Sequence, residues 1–225
     1  MKKALLFCLT ILMLVVFWGG GWSEAEEGTL FDQAMEARGR GKDEEALKIL
    51  EQCVEEGVEV HRAYFKMGQI LMEQGKYRRA FSVSEKAIKA YEEYLEVHPE
   101  DHRAWWELAY IYENRSAYTK EWDKAQEALE KALDLSSSNS LYLLHLGWVC
   151  WMKGDNEKAE STFRKILDKN PDDFWAHRYL VEILIEEGRE KEAKEELAFM
   201  LERSSEGEMA YNWAEERLKE LKGAS

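Results

Sequence analysis

The sequence predicts an all-α fold in which pairs of short helices repeat along the chain and stack on one another. The first observation is a glycine followed five residues later by an alanine. This spacing occurs four times, at Gly41/Ala46, Gly75/Ala80, Gly154/Ala159 and Gly188/Ala193. The second observation is the period, because Ala46 and Ala80 are 34 residues apart and so are Ala159 and Ala193. A fixed period of about this length is typical of a stacked helical array rather than a single globular core.

The first helix of each predicted pair carries large residues at helical spacing. In one unit, Trp105, Leu108 and Tyr112 recur so that all three fall on one side of a helix. In two other units a glycine, Gly68 or Gly147, stands among the large residues. We expect these small residues to let the second helix approach closely.

The second helix follows after a short turn. Gly154 is suited to the left-handed conformation that ends a helix, and Asp155 can start the next helix. Ala159 and Phe163 then share one face of the second helix, which must close before Pro171. Each unit is therefore predicted to be a helix, a tight turn and a second helix.

These pairs resemble the tetratricopeptide repeat (TPR), whose pattern is about 34 residues long, and in particular exported bacterial TPR proteins. The resemblance covers the chain after about residue 26 and implies a right-handed α-solenoid of about five units with a C-terminal capping helix. A capping helix is needed because a terminal unit cannot otherwise bury its apolar face. The predicted units are 27–60, 61–101, 102–139, 140–173 and 174–207, with the capping helix at 208–222.

Two units are longer than the period. The separation of Tyr64 and Trp105 exceeds the period by seven positions, and the extra length falls in Ala80–His98, which predicts a long second helix. The separation of Trp105 and Ala125 exceeds that of the regular units by four positions, which predicts an enlarged turn around 114–118. Such insertions either project from a functional face or are neutral additions, and the sequence leaves both open.

The first residues of the chain predict export from the cytoplasm. Met1–Lys3 is positively charged and Ala4–Trp18 is apolar, the pattern of a secretory signal. Either the chain is cleaved after Ala25, or residues 4–22 stay as a membrane tether. Both outcomes place the repeats outside the cytoplasm, as a periplasmic or secreted protein or as one anchored to the cytoplasmic membrane and facing outward. The predicted domains are residues 1–25, the signal peptide or anchor, and 26–225, the TPR domain.

Composition limits the classes of partner and site. A formal net charge of −14 disfavours nucleic acid and anionic lipid surfaces as partners. Cys53 and Cys150 occupy buried-type positions three units apart, so we expect two core cysteines and no bridge between them.

No residue pattern in the chain predicts an enzyme, a cofactor or a metal site. The segment Gly39–Asp43 has the wrong spacing for a phosphate loop and no Ser or Thr after its lysine. The cluster His98–His102 lies at a junction between units, where Pro99 and acidic residues are expected to end one helix and start the next.

The resemblance implies a binding face formed by the first helix of each unit. Aromatic residues are dense at the positions that the family exposes there, and large aromatics and arginine are typical anchors in binding sites. Arg62 and Arg103 are expected to grip a carboxylate or a carbonyl group. The predicted partner-binding residues are Arg62, Phe65, Arg103, Trp106, Tyr110, Leu144, His145, Trp148, Trp151, Trp175 and Tyr179.

The expected function is that of a non-catalytic protein-interaction scaffold outside the cytoplasm, holding a partner peptide in an aromatic-lined concave groove, in envelope complex assembly. Two alternatives stay open from the sequence. A copy of the chain could fill the groove of another copy, which gives a homo-oligomer. Aromatic faces beside acidic residues also suit a cell-wall carbohydrate.

Overall fold

The computed structural model describes residues 28–223, and all the regular elements in this range are helices. The predicted signal peptide or anchor, residues 1–25, lies outside the described range. None of the helices within 28–223 has the length and apolar composition needed to cross a lipid bilayer. The chain divides into two compact units, with the boundary between Val58 and Glu59.

The helices form successive pairs, followed by one single helix. In the first unit these are α1 (Leu30–Gly39) and α2 (Asp43–Glu56). In the second unit they are α3 (Val60–Glu73), α4 (Tyr77–Val97), α5 (His102–Thr119), α6 (Trp122–Leu135), α7 (Ser140–Lys153), α8 (Asn156–Leu167), α9 (Phe174–Glu186), α10 (Glu190–Arg203) and α11 (Met209–Gly223). The predicted all-α repeat fold is confirmed.

Short polar side chains start several of these helices. The Asp101 carboxylate accepts hydrogen bonds from the backbone N–H groups of Arg103 and Ala104, both at 3.0 Å. The Asp155 carboxylate accepts one from the N–H of Lys158 at 3.2 Å. Each aspartate satisfies backbone donors that have no partner within the first turn. The helix start predicted at Asp155 is confirmed.

Residues in the left-handed backbone conformation form the turns between the two helices of each pair. Gly154 has a φ of 83°, and the corresponding glycines of three other pairs also have positive φ, namely Gly41, Gly75 and Gly188. In the third pair Lys120 takes this position, with a φ of 57°, five residues before Ala125. The turn geometry is therefore the same in a unit whose sequence lacks the glycine.

The long second helix predicted for the second pair is confirmed. Helix α4 has 21 residues, whereas α6 and α10 have 14 each. Its last two turns are anchored in the core, because Tyr91 is fully buried and Leu95 is 4% exposed. The Tyr91 hydroxyl donates a hydrogen bond of 2.7 Å to the buried carboxylate of Glu107 in α5. The extra length is packed and does not project into solvent.

The enlarged turn predicted around 114–118 is wrong. Helix α5 continues through this segment to Thr119, and only Lys120 and Glu121 separate it from α6. Four residues add about one helical turn, so the insertion keeps the helix in phase and needs no loop. The hydroxyl of Ser116 supports the added turn by donating a 2.7 Å hydrogen bond to the carbonyl of Tyr112.

Second helices fill the core four residues after the repeated alanine. A large apolar residue takes this position in four pairs and is fully buried there: Leu50, Leu129, Phe163 and Leu197. The predicted close approach is confirmed at Gly147, where an added Cβ would lie 2.6 Å from the Phe163 ring. At Gly68 it is wrong, because an added Cβ would meet nothing within 4 Å. Cys53 and Cys150 are fully buried, as predicted for core cysteines.

Candidate functional site

The first helices α5, α7 and α9 line a cavity of about 420 Å³, and α6 adds one aromatic residue to its wall. We call it the groove cavity. Four aromatic side chains supply most of its apolar wall. Its lining residues are Tyr110, Glu113, Asn114, Trp122, Leu144, His145, Trp148, Met152 and Tyr179.

Ring contacts hold the aromatic walls in place. Trp148 packs edge-on against Trp122, with the ring centroids 5.3 Å apart. Tyr110 packs edge-on against His145 at 5.9 Å, and Tyr179 stacks on the core ring of Phe163 at 5.3 Å. Edge-on and stacked pairs of this kind fix ring orientation beyond simple area burial. The walls are therefore formed before any partner binds.

A buried carboxylate supplies the polar group of the cavity. Glu113 is 5% exposed, and its Oε2 lies 2.8 Å from the Nδ1 atom of His145. Burial raises the pKa of Glu113 above its usual range, while the hydrogen bond from His145 acts in the opposite direction. Within residues 28–223 the second carboxylate oxygen, Oε1, has no hydrogen-bond partner. That oxygen is fully buried, so a donor group reaches it only if the surrounding side chains move.

Five of the predicted binding residues come together in this cavity: Tyr110, Leu144, His145, Trp148 and Tyr179. Three others flank it through ring contacts. Trp106 lies 5.8 Å from the His145 ring, and Trp151 and Trp175 lie 5.9 and 6.2 Å from Tyr179. The Trp151 indole N–H also donates to the Glu186 carboxylate at 2.7 Å. These flanking rings extend the aromatic face along the first helices.

The structure places the remaining three predicted residues elsewhere. Phe65 is 4% exposed and packs edge-on against Tyr110, so it serves as a core residue and not as a freely exposed contact. Arg62 forms an ion pair with Glu59. The Arg103 Nε atom lies 3.3 Å from the buried carboxylate of Glu107. Both arginines are thus already engaged by glutamates of the chain.

Four lining residues were absent from the predicted set. Trp122 belongs to a second helix, whereas all the predicted binding residues lie on first helices. Glu113 and Asn114 occupy the α5 positions that correspond to Trp151 and Met152 of α7, so the first-helix register identifies them as well. Met152, 47% exposed, lies on α7 at one of the first-helix positions that the family exposes, and this register is the signal that identifies it.

The residues that the structure describes contain no group of three or more His, Cys, Asp and Glu side chains that could hold a metal ion. In the cluster His98–His102, the His102 Nδ1 atom lies 2.8 Å from the hydroxyl of Tyr142, and the His98 ring packs on Tyr94 at 4.5 Å. Both histidines therefore have packing partners.

Sequence comparison identifies the family. Tetratricopeptide repeat models match residues 61–99, 84–121, 120–174 and 151–204, which together span more than half of the chain. The chain belongs to the tetratricopeptide repeat family. No curated protein shows a significant match to this TPR chain.

Solved TPR structures share the fold. MamA (residues 41 to the end) from Desulfovibrio magneticus RS-1 is 22% identical, with a TM-score of 0.61 over 79% of this chain and 96% of that chain. YrrB, described as a TPR protein with an unusual peptide-binding site, is 16% identical, with a TM-score of 0.60 over 86% and 94%. TTC0263 from Thermus thermophilus is 17% identical, with a TM-score of 0.57 over 85% and 96%. At these identities the likeness concerns the fold alone.

Proposed function

We propose that this TPR chain is a non-catalytic protein-interaction scaffold that holds a partner's peptide segment in the groove cavity. One observation carries the proposal: the cavity joins aromatic walls to a buried carboxylate, Glu113, whose Oε1 has no partner within residues 28–223. Aromatic faces provide contact energy, and a peptide N–H or a basic side chain that reaches the buried carboxylate would satisfy its unpaired oxygen. The fold shared with the peptide-binding protein YrrB supports a peptide ligand.

The scaffold is proposed to act outside the cytoplasm, in the assembly of an envelope complex. This part rests on Met1–Lys3 and the apolar run Ala4–Trp18. Alkaline phosphatase fused to the C-terminus should be active, because this enzyme folds correctly only after export. The mass of the recovered protein then separates cleavage after Ala25 from a retained anchor at residues 4–22. An inactive fusion would contradict export.

The test of the groove uses two exposed methionines as a matched pair. Met152 lies at the rim of the groove cavity and is 47% exposed, whereas Met209 is 61% exposed on α11. Proteins of the envelope extract that bind the full chain are purified, and their Kd is measured for each variant. Met152→Glu should weaken binding by at least about tenfold, since it places a charge beside apolar walls. Met209→Glu should bind as the unaltered chain does.

Equal binding by both variants would contradict the groove as the binding site. If light scattering instead shows a mass that rises with concentration, and Met152→Glu removes this rise, the occupant is a second copy of the chain. Quenching of tryptophan fluorescence by cell-wall oligosaccharides, but not by any captured protein, would assign the face to carbohydrate. Either of the last two results would replace the peptide-binding proposal.

A further inference from the structure

The second helix pair lacks an aromatic ring that the fourth pair contains. In the fourth pair, Phe163 lies four residues after the repeated Ala159, and its ring packs directly on Gly147. In the second pair, Gly68 stands at the position equivalent to Gly147, and Ser84 stands at the position equivalent to Phe163. The ring is thus replaced by a hydroxymethyl group, while the glycine that makes room for a ring is kept. The two pairs differ by the volume of one aromatic side chain.

A cavity is present where the ring would be. It lies between α3, α4 and α5, has a volume of about 170 Å³, and is lined by both Gly68 and Ser84. We call it the ring pocket. Its walls include the aromatic side chains Tyr64, Phe65, Phe81 and Tyr110. An engineered apolar cavity of about 150 Å³ in another protein binds benzene, so the ring pocket has the size for one ring.

The polar groups of the ring pocket are engaged by the chain itself. The Ser84 hydroxyl donates to the carbonyl of Phe81 at 2.7 Å and accepts from Arg115 Nη1 at 3.0 Å. The Arg115 guanidinium also lies 4.3 Å from the centroid of the Phe81 ring. The Asn114 amide donates to the carbonyl of Tyr110 at 2.7 Å. An occupant therefore meets ring faces, the Arg115 cation and the Glu73 carboxylate. The two charged side chains are of opposite sign, and the ring faces favour an uncharged aromatic group.

The rim of the ring pocket exposes large apolar side chains to solvent. Met72, Tyr77 and Tyr118 line it and are 39%, 61% and 78% exposed. Exposed apolar side chains gathered around a cavity mark an interaction site, and tyrosines are frequent anchors at such sites. The opening of the ring pocket is thus suited to contact an apolar segment of a partner protein.

From these observations we infer that the ring pocket binds an uncharged aromatic side chain, phenylalanine being the model, from an apolar segment of a partner protein. The inference rests on the proposed function and adds a specificity to it. The fourth pair fills this position with its own Phe163. In the second pair, the side chain of the partner takes the same place. Tyr110 and Asn114 line both the ring pocket and the groove cavity, so one bound segment can reach both.

The test uses the full chain and a single-residue probe, N-acetylphenylalanine amide, followed by NMR. Saturable shifts should appear in the amide signals of Gly68 and Ala87, which line the ring pocket. Ser84→Phe fills the pocket from within, as Phe163 does in the fourth pair, and should weaken probe binding at least about tenfold. It should also raise the melting temperature. Ser82→Phe adds the same ring at an exposed position of the same helix and should leave probe binding unchanged.

Three results would overturn the inference: no probe binding to the full chain, equal binding by Ser84→Phe, or equal binding of N-acetylleucine amide. The probe needs no partner protein, so its outcome is independent of the Met152→Glu experiment. A captured partner that is lost with Met152→Glu and kept with Ser84→Phe would contradict the ring pocket alone. A probe that binds while Met152→Glu leaves capture intact would contradict only the groove proposal.

Discussion

Glycine has different consequences at equivalent positions of two first helices. At Gly147 the absent side chain admits the Phe163 ring, whereas at Gly68 it borders the ring pocket. The residue type is the same and the spacing to the repeated alanine is the same. What differs is the residue on the facing helix, Phe163 in one pair and Ser84 in the other, and we expect this difference to affect stability.

Alanine substitution at the two glycines should change stability in opposite directions. Gly68→Ala should raise the free energy of unfolding by about 0.5–1 kcal/mol, because it removes chain entropy from the unfolded state and meets no atom within 4 Å. Gly147→Ala should lower it by about 1–3 kcal/mol, because the new Cβ lies 2.6 Å from the Phe163 ring. Urea unfolding of both variants measures the difference. A gain in both would show that the ring moves aside freely.

Glu113 should make stability depend on pH. Its pKa in the folded chain is raised above the ordinary value of 4.5, chiefly by burial. The stability it contributes is therefore complete below pH 4.5 and is lost as pH rises through the folded-state pKa. Glu113→Gln, which carries no charge and can still bond to His145, should gain stability relative to the unaltered chain as pH rises from about 4.5 to about 7.

The control for this pH effect is Glu127→Gln, because Glu127 is exposed on α6. Urea unfolding measures the free energy of unfolding of this control and of the unaltered chain. The difference between the two should be the same at both ends of this pH range. If the Glu113→Gln difference is equally flat, the carboxylate is solvated in the folded protein. The assignment of an unpaired acceptor to the groove cavity would then be wrong.

At the scale of elements, the two insertions lengthen helices, and each lengthened helix buries side chains of its added segment. The final turns of α4 carry Tyr91 and Leu95 into the core, and the added turn of α5 carries Ser116, which is 1% exposed. An inserted helical segment keeps the apolar periodicity of the helix only if its length is close to a whole number of turns. Seven and four residues meet this condition at about two turns and one turn.

Tyr91→Phe should test whether the extension of α4 is anchored by its buried hydrogen bond. The change removes the hydroxyl that donates to Glu107, a carboxylate that is only 2% exposed. A buried acceptor without its donor costs about 1–3 kcal/mol of unfolding free energy. Tyr77→Phe is the control, since Tyr77 is 61% exposed on the same helix, and it should stay within about 0.5 kcal/mol. Equal effects in denaturant unfolding would contradict the anchor.

At the scale of the second unit, the last helix covers an apolar face. Ala214 and Leu221 of α11 are buried in one core cluster with Leu197 of α10. Arg217 of α11 adds an ion pair to Glu182 of α9, at 2.6 Å. In a repeat array each pair is stabilised by its neighbours, so the end needs a helix with one apolar face and one polar face.

Ending the chain at Ser204 should expose this face. We expect a lower melting temperature, increased binding of a hydrophobic dye, and aggregation at concentrations where the full chain stays dispersed. The control is Lys219→Ala within α11, which removes an exposed side chain and leaves the buried ones in place. A truncated chain with an unchanged melting temperature would show that α11 does not cap the array.

The sequence by itself determined the fold class and the pairing of helices, because the period, the turn glycines and the repeated alanines are local signals that recur. The resemblance to the TPR family also implied that Trp148, Tyr110 and Tyr179 lie on the binding face formed by the first helices. The length of α4 was predicted from the seven positions by which the separation of Tyr64 and Trp105 exceeds the period.

Only the tertiary structure decided which of those residues form a cavity. Phe65 and Leu144 occupy equivalent first-helix positions, yet Phe65 is buried and Leu144 lines the groove cavity. Whether four extra residues become a loop or a helical turn depends on packing around α5, and Lys120 takes a left-handed turn that its sequence does not signal. The ring pocket arises because neither Gly68 nor Ser84 carries a large side chain. The two residues lie on different helices. The cavity between them therefore forms only when those helices pack together.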